Sequence, residues 1–226
     1  MSQIPIPLRD HHGLFDFALA TPSLALANAK LAFAGVLGAA FWGAAMGSHA
    51  GGVHIWITTI KMPIFFLLTL ALCFSLMHVM TVVGGVKART EQTLNIALSG
   101  LSVTSVCLGA LAPVLAVFAA SIPVASMASY LNLYVACAMC GAAAGLLGAR
   151  QVARGLHALR GGSTRGVLAA WLFIFQFTGA QVAWVLRPWI GSHDSAEGLY
   201  SLSHGLSGNF YLGVAKVFAR WFSAAF

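Results

Sequence analysis

The sequence predicts an all-α fold: a polytopic membrane helix bundle of about five transmembrane helices, followed by a C-terminal amphipathic helix. Three observations carry this. Hydrophobic residues make up 59% of the 226 positions, against roughly 45–50% in an ordinary soluble domain. Charged residues make up only 8%, where about 25% is usual. Finally, a window of roughly 20 residues, the length that crosses a hydrocarbon core about 30 Å thick, finds five apolar runs. A soluble globule is excluded, because too few polar side chains exist to cover its surface. Disorder is excluded by the same composition, and four cysteines are too few for a disulfide scaffold.

Residues 1–30 form an N-terminal cytoplasmic or interfacial segment. Pro5, Pro7, Arg9, Asp10, His11 and His12 precede any long apolar run, which does not fit a cleavable signal peptide. Phe15, Phe17 and Leu19 among polar neighbours suggest a short stretch lying on the membrane. The transmembrane domain is expected over residues 31–187. Its five runs are Leu31–Gly47, Met62–Val83, Leu94–Ser121, Leu131–Ala149 and Val167–Leu186, none containing Asp, Glu, Lys or Arg. The first is short, but Thr21 and Pro22 read as an N-cap and first helical residue upstream of it. A helix starting there places Asn28 and Lys30 at the headgroups, with Lys30 snorkelling. The third run contains Pro113, where a kink or tilt is expected.

Orientation follows from the connections. With the N-terminus inside, the cytoplasmic side holds Arg9, Lys30, Lys87, Arg89, Arg150, Arg154, Arg160 and Arg165; the other side holds Lys61, Arg187, Lys216 and Arg220. Cations resist translocation, so the N-terminus is expected in the cytoplasm and the C-terminus in the periplasm. The net charge of +7 comes mostly from these residues and needs no nucleic acid to explain it. The arginine-rich loop after the fourth run suits anionic lipid.

Residues 188–226 form the periplasmic or interfacial tail. Arg187-Pro188-Trp189 ends the fifth run at an interface, where tryptophan prefers to sit. Phe210, Val214, Val217, Phe218, Trp221 and Phe222 then fall on one helical stripe, with Asn209, Lys216, Arg220 and Ser223 opposite. Such a helix lies in the interface or docks into a partner. Arg187, Trp189, Phe210, Tyr211, Phe218, Trp221 and Phe222 are the candidate partner residues.

Chemistry is sparse. Asp10, Asp16, Glu91, Asp194 and Glu197 all lie outside the runs, so no carboxylate is placed for a proton relay or a selectivity filter. His78, in Leu76-Met77-His78-Val79-Met80, is the one histidine inside a run. It is a candidate ligand for haem, chlorophyll or, with Met80, a soft metal. The simpler reading is a histidine near the helix end, hydrogen-bonded to a neighbour. Cys137-Ala138-Met139-Cys140 is a CxxC pair that adds Cys137 and Cys140 to the candidate metal set. The simpler reading there is helix packing, because the GxxxG motif Gly141-Ala142-Ala143-Ala144-Gly145 follows directly. Gln176, Thr178 and Gln181 suit hydrogen bonds between helices. No nucleophile–base pair or phosphate-binding loop is present.

Several stretches resemble a family of small bacterial multi-pass inner-membrane proteins. They are Leu111-Ala112-Pro113-Val114, Gly179-Ala180-Gln181, Trp184 through Ser192 and Gly208-Asn209-Phe210-Tyr211. Members are sometimes labelled actin-binding proteins, but this chain lacks the soluble amphipathic helix and Leu-Lys-Lys-Thr-like segment that such a label requires. The resemblance implies no catalytic residues. The five-span, N-in arrangement is also similar in topology to the Yip family.

The functional expectation is therefore a non-enzymatic accessory or structural subunit of a larger bacterial inner-membrane complex, requiring no cofactor. Its expected partners are membrane lipids and other membrane subunits. The alternatives are a cofactor-binding membrane protein built on His78, Met80 and Cys137, and a lipid-organising protein of Yip type.

Overall fold

The computed structural model describes residues 24–122, 127–159 and 164–186. Within them the chain forms five helices and no strand: α1 (Ala25–Gly47), α2 (Val53–Val83), α3 (Thr90–Ser121), α4 (Met127–Ala158) and α5 (Thr164–Val185). All five are long and apolar enough to cross a membrane, so the protein is a multi-pass helical membrane bundle. The first-run cap at Thr21 and Pro22, the N-terminal surface segment, and the tail residues Arg187, Trp189, Phe210, Tyr211, Phe218, Trp221 and Phe222 lie outside the described residues.

Helices α1 and α2 begin well before their apolar windows, at Ala25 and Val53. Helix α2 has 31 residues and α3 and α4 have 32 each, or about 47 Å at 1.5 Å per residue. That exceeds the hydrocarbon thickness, so charged residues at the ends remain helical while standing outside it. Apolar windows mark the hydrocarbon, whereas the backbone ladder continues beyond them. Between α1 and α2 that turn uses Gly51 and Gly52 at φ 70° and 55°, a region that side chains bearing a Cβ rarely occupy. Pro63 and Pro113 both lie within continuous helices.

The helices alternate in direction, but spatial order is not chain order. Helix α1 packs on both α2 and α3; α4 packs on α3 and α5 on α2. The parallel α1–α3 contact is the most extensive, and glycine explains it. A Cβ on Gly38 would overlap the Ser105–Val106 backbone, and one on Gly109 would press on Gly38. The antiparallel α1–α2 contact uses Gly43 and Gly47 in the same way, against the backbone of His54 to Thr59. In α3–α4, Gly100 meets Gly148 and Val152. Without a hydrophobic drive between helices in lipid, such close backbone approach supplies the dispersion contact that holds them.

The bundle thus has two ends. Leu24, the α2–α3 turn, Ala158 and Thr164 share one; Gly47, Val53, Ser121 and Leu186 share the other. Large apolar side chains cover the outer faces, including Phe33, Phe41, Trp56, Leu72, Val117, Met139, Leu146 and Phe173.

Candidate functional site

Polar residues concentrate between α1 and α3 and at the α2–α3 end. Helix α1 starts with an apolar residue, Leu24, that offers no side-chain cap. Its backbone N–H instead donates to Glu91 Oε2 of α3 at 3.0 Å, placing a carboxylate at the positive end of the α1 dipole. One turn along, Asn28 Nδ2 donates to the Glu91 carbonyl (3.4 Å), and Asn95 Nδ2 donates to Asn28 Oδ1 (2.8 Å). Ser102 Oγ then donates to the Leu31 carbonyl. Asn28, in the first turn of α1, is therefore buried in a helix seam. Lys30 is exposed as expected.

The structure corrects the sequence expectation at Lys61. Sequence windows put it in a loop before a charge-free span. It is instead the ninth residue of α2 and only 1% exposed. The missed signal is Val53 to Ile60, which is apolar apart from His54, Thr58 and Thr59; one cation had split a single helix into a loop and a span. Thr58, one turn earlier, is also buried and donates to the His54 carbonyl at 2.6 Å. An intramembrane lysine at a protein interior is costly and commonly functional. His49, in the adjacent turn, is buried with Nδ1 3.2 Å from the Ala119 carbonyl.

His78 belongs to the opposite end. Its Nδ1 is 2.9 Å from Thr93 Oγ1 and its Nε2 is 3.4 Å from Thr90 Oγ1, while Phe74 stacks at 6.4 Å. Thr93 Oγ1 donates its own hydrogen to the Arg89 carbonyl at 3.3 Å, so it accepts from His78 Nδ1–H. In that tautomer Nε2 accepts from Thr90 Oγ1. Both ring nitrogens are thereby engaged, and a ligand bond requires breaking one of them.

The other candidate ligands do not join it. Met80 is exposed on the outer face. Cys137 and Cys140 lie on α4 against the core. Among the described residues, no three His, Cys, Asp or Glu side chains converge on a metal position.

A second interior anchor is Trp171 of α5. Its Nε1–H donates to the Met77 carbonyl (2.9 Å) and Thr81 Oγ1 (3.1 Å), tying α5 to α2 over 90 residues of chain. Gln151 of α4 is 1% exposed, and its amide nitrogen and oxygen find no hydrogen-bond partner. Gln176 is exposed, whereas Thr178 and Gln181 are half-buried.

One motif behaves differently from its neighbours. Gly148 of α4 is filled by Thr104 and the Gly100 backbone, but Gly141 and Gly145 have nothing within 4 Å of where a Cβ would stand. Among the described residues, no neighbouring helix packs on the GxxxG motif that the sequence reads as packing. Comparison with protein-family models, curated proteins and solved structures gives no match. Geometry alone carries the functional argument.

Proposed function

We propose that the protein is a non-enzymatic accessory subunit of a larger assembly in the bacterial inner membrane, with its N-terminus cytoplasmic and its C-terminus periplasmic. The observation that carries this is the contrast among glycines. At Gly38, Gly43, Gly47, Gly100 and Gly148, a missing Cβ is matched by a neighbouring helix at close approach. Gly141 and Gly145 make the same flat helix surface and have no neighbour among the described residues. A transmembrane helix of another subunit fits there by the packing rule the rest of the bundle obeys.

The interior supports a scaffold in the same sense. Asn28, Asn95, Ser102, Thr81 and Trp171 direct their hydrogen bonds between this chain's own helices. Orientation rests on the cations: Lys30, Lys87, Arg89, Arg150, Arg154 and Arg165 are exposed at the Leu24 end, and the other end has Lys61 alone among the described residues. That asymmetry favours a cytoplasmic Leu24 end.

Blue-native electrophoresis of membranes dissolved in mild detergent tests the proposal. The chain should migrate with other subunits, and Gly141→Leu should release it as a folded monomer. Wild-type protein that runs alone under the mildest conditions overturns the reading. So does a Gly141→Leu variant that stays in the complex.

A further inference from the structure

The outward face of α4 changes character over one turn. Met139, Leu146 and Leu147 are exposed apolar residues, with exposed Ala143 between them. Arg150 and Arg154 follow on the same face and are also exposed. At 100° and 1.5 Å per residue, Ala143, Leu147, Arg150 and Arg154 form one stripe, and the first arginine stands about 5 Å beyond the last leucine. The two arginines are i and i+4, so their side chains project side by side, about 6 Å apart along the axis.

Among the described residues, no acidic group competes for them. Helices α4 and α5 contain no Asp or Glu, and neither arginine makes a hydrogen bond or ion pair among the described residues. Glu91 is the one described carboxylate, and it is engaged by the Leu24 N–H. Two guanidinium forks at headgroup height, continuous with an apolar strip below, match an anion that carries its own hydrocarbon. Guanidinium pairs a phosphate through parallel N–H donors, with a directionality lysine lacks.

We propose that this face is a binding site for an anionic phospholipid of the leaflet at the Leu24 end. The phosphodiester sits between Arg150 and Arg154, and an acyl chain lies along Leu147, Leu146, Ala143 and Met139. The site does not depend on the subunit reading, because Arg150 is nine residues from Gly141 and so half a turn around α4 from the glycine surface. Lipid and partner helix occupy opposite sides.

Native mass spectrometry of the full chain in neutral detergent, titrated with phosphatidylglycerol, phosphatidylcholine or inorganic phosphate, tests it. Phosphatidylglycerol should bind tightest, and inorganic phosphate at millimolar concentration should not displace it. Taking each arginine's attraction to an anionic lipid as a factor of about five, Arg150→Gln with Arg154→Gln should weaken phosphatidylglycerol about twenty-fivefold. Phosphatidylcholine binding should stay unchanged. Arg165→Gln, which removes a cation from the same end but not this stripe, should cost less than the loss of either α4 arginine. The double lysine variant should bind between the two extremes. Three results overturn the proposal: a glutamine pair that retains phosphatidylglycerol affinity, an equal loss from Arg165→Gln alone, or inorganic phosphate binding as tightly as the lipid. A thermal midpoint equal to wild type confirms that the glutamine variant is folded, as the exposure of both arginines leads one to expect.

Discussion

Gly38→Val is the substitution that most directly probes how this bundle is held together. The new side chain meets the Ser105–Val106 backbone of α3. Backbone in a helix cannot rotate away as a side chain does, so α1 and α3 must separate. Overpacking of this kind costs about 1–3 kcal/mol. Separation also strains two interhelical hydrogen bonds of the seam, Asn95 to Asn28 and Ser102 to Leu31, each worth about 0.6 kcal/mol in a membrane protein. The sum is about 2–4 kcal/mol. Gly141→Val adds the same atoms in the same fold, but at a position with open space, and should change stability by no more than about 0.5 kcal/mol. Reversible unfolding in mixed micelles of increasing SDS fraction, followed by circular dichroism, compares the two. Equal stabilities would refute the reasoning, because the argument rests wholly on where a Cβ collides.

Three further outcomes are expected. Asn28→Leu and Asn95→Leu should each destabilise the bundle, and the double variant should lose less than their sum, by about 0.6 kcal/mol, in a double-mutant cycle; strict additivity would mean the Asn95–Asn28 bond is not made. Amine-reactive labelling of the folded protein, mapped by peptide mass spectrometry, should modify exposed Lys30 and Lys87 and spare Lys61 until the protein is unfolded; comparable labelling of all three would contradict its burial. Chelation should leave the unfolding midpoint unchanged, and added haem should produce no axial-histidine absorption band, since both His78 nitrogens are occupied by Thr93 and Thr90. A metal-dependent midpoint or a Soret shift abolished by His78→Ala would return that histidine to ligand duty.

Legibility from sequence differs among the residues for identifiable reasons. His78 was placed near its helix end, hydrogen-bonded to a neighbour, and it is; the spacing to Thr90 and Thr93 follows once a short turn joins α2 to α3. Gly141 and Gly145 were recognised as a packing surface, but a motif cannot say whose helix packs on it. Lys61 was misplaced, because a window that stops at any charge treats burial beside other helices as if it were lipid. The burial of Asn28 is not legible for a related reason: its partner, Asn95, lies across 67 positions of chain.

By itself the sequence determined that this chain crosses a membrane, how many described helices do so, and which end gathers the exposed cations. These depend on transfer free energy and length, which are local sums over neighbouring residues. Tertiary structure alone decided that α1 runs between α2 and α3, that Glu91 caps a helix 67 residues away, that Lys61 is interior, and which glycines are already filled. Those outcomes depend on which helix faces which. Lipid solvates all apolar faces alike, so in a bilayer that choice is made by close backbone approach and hydrogen bonding between distant residues.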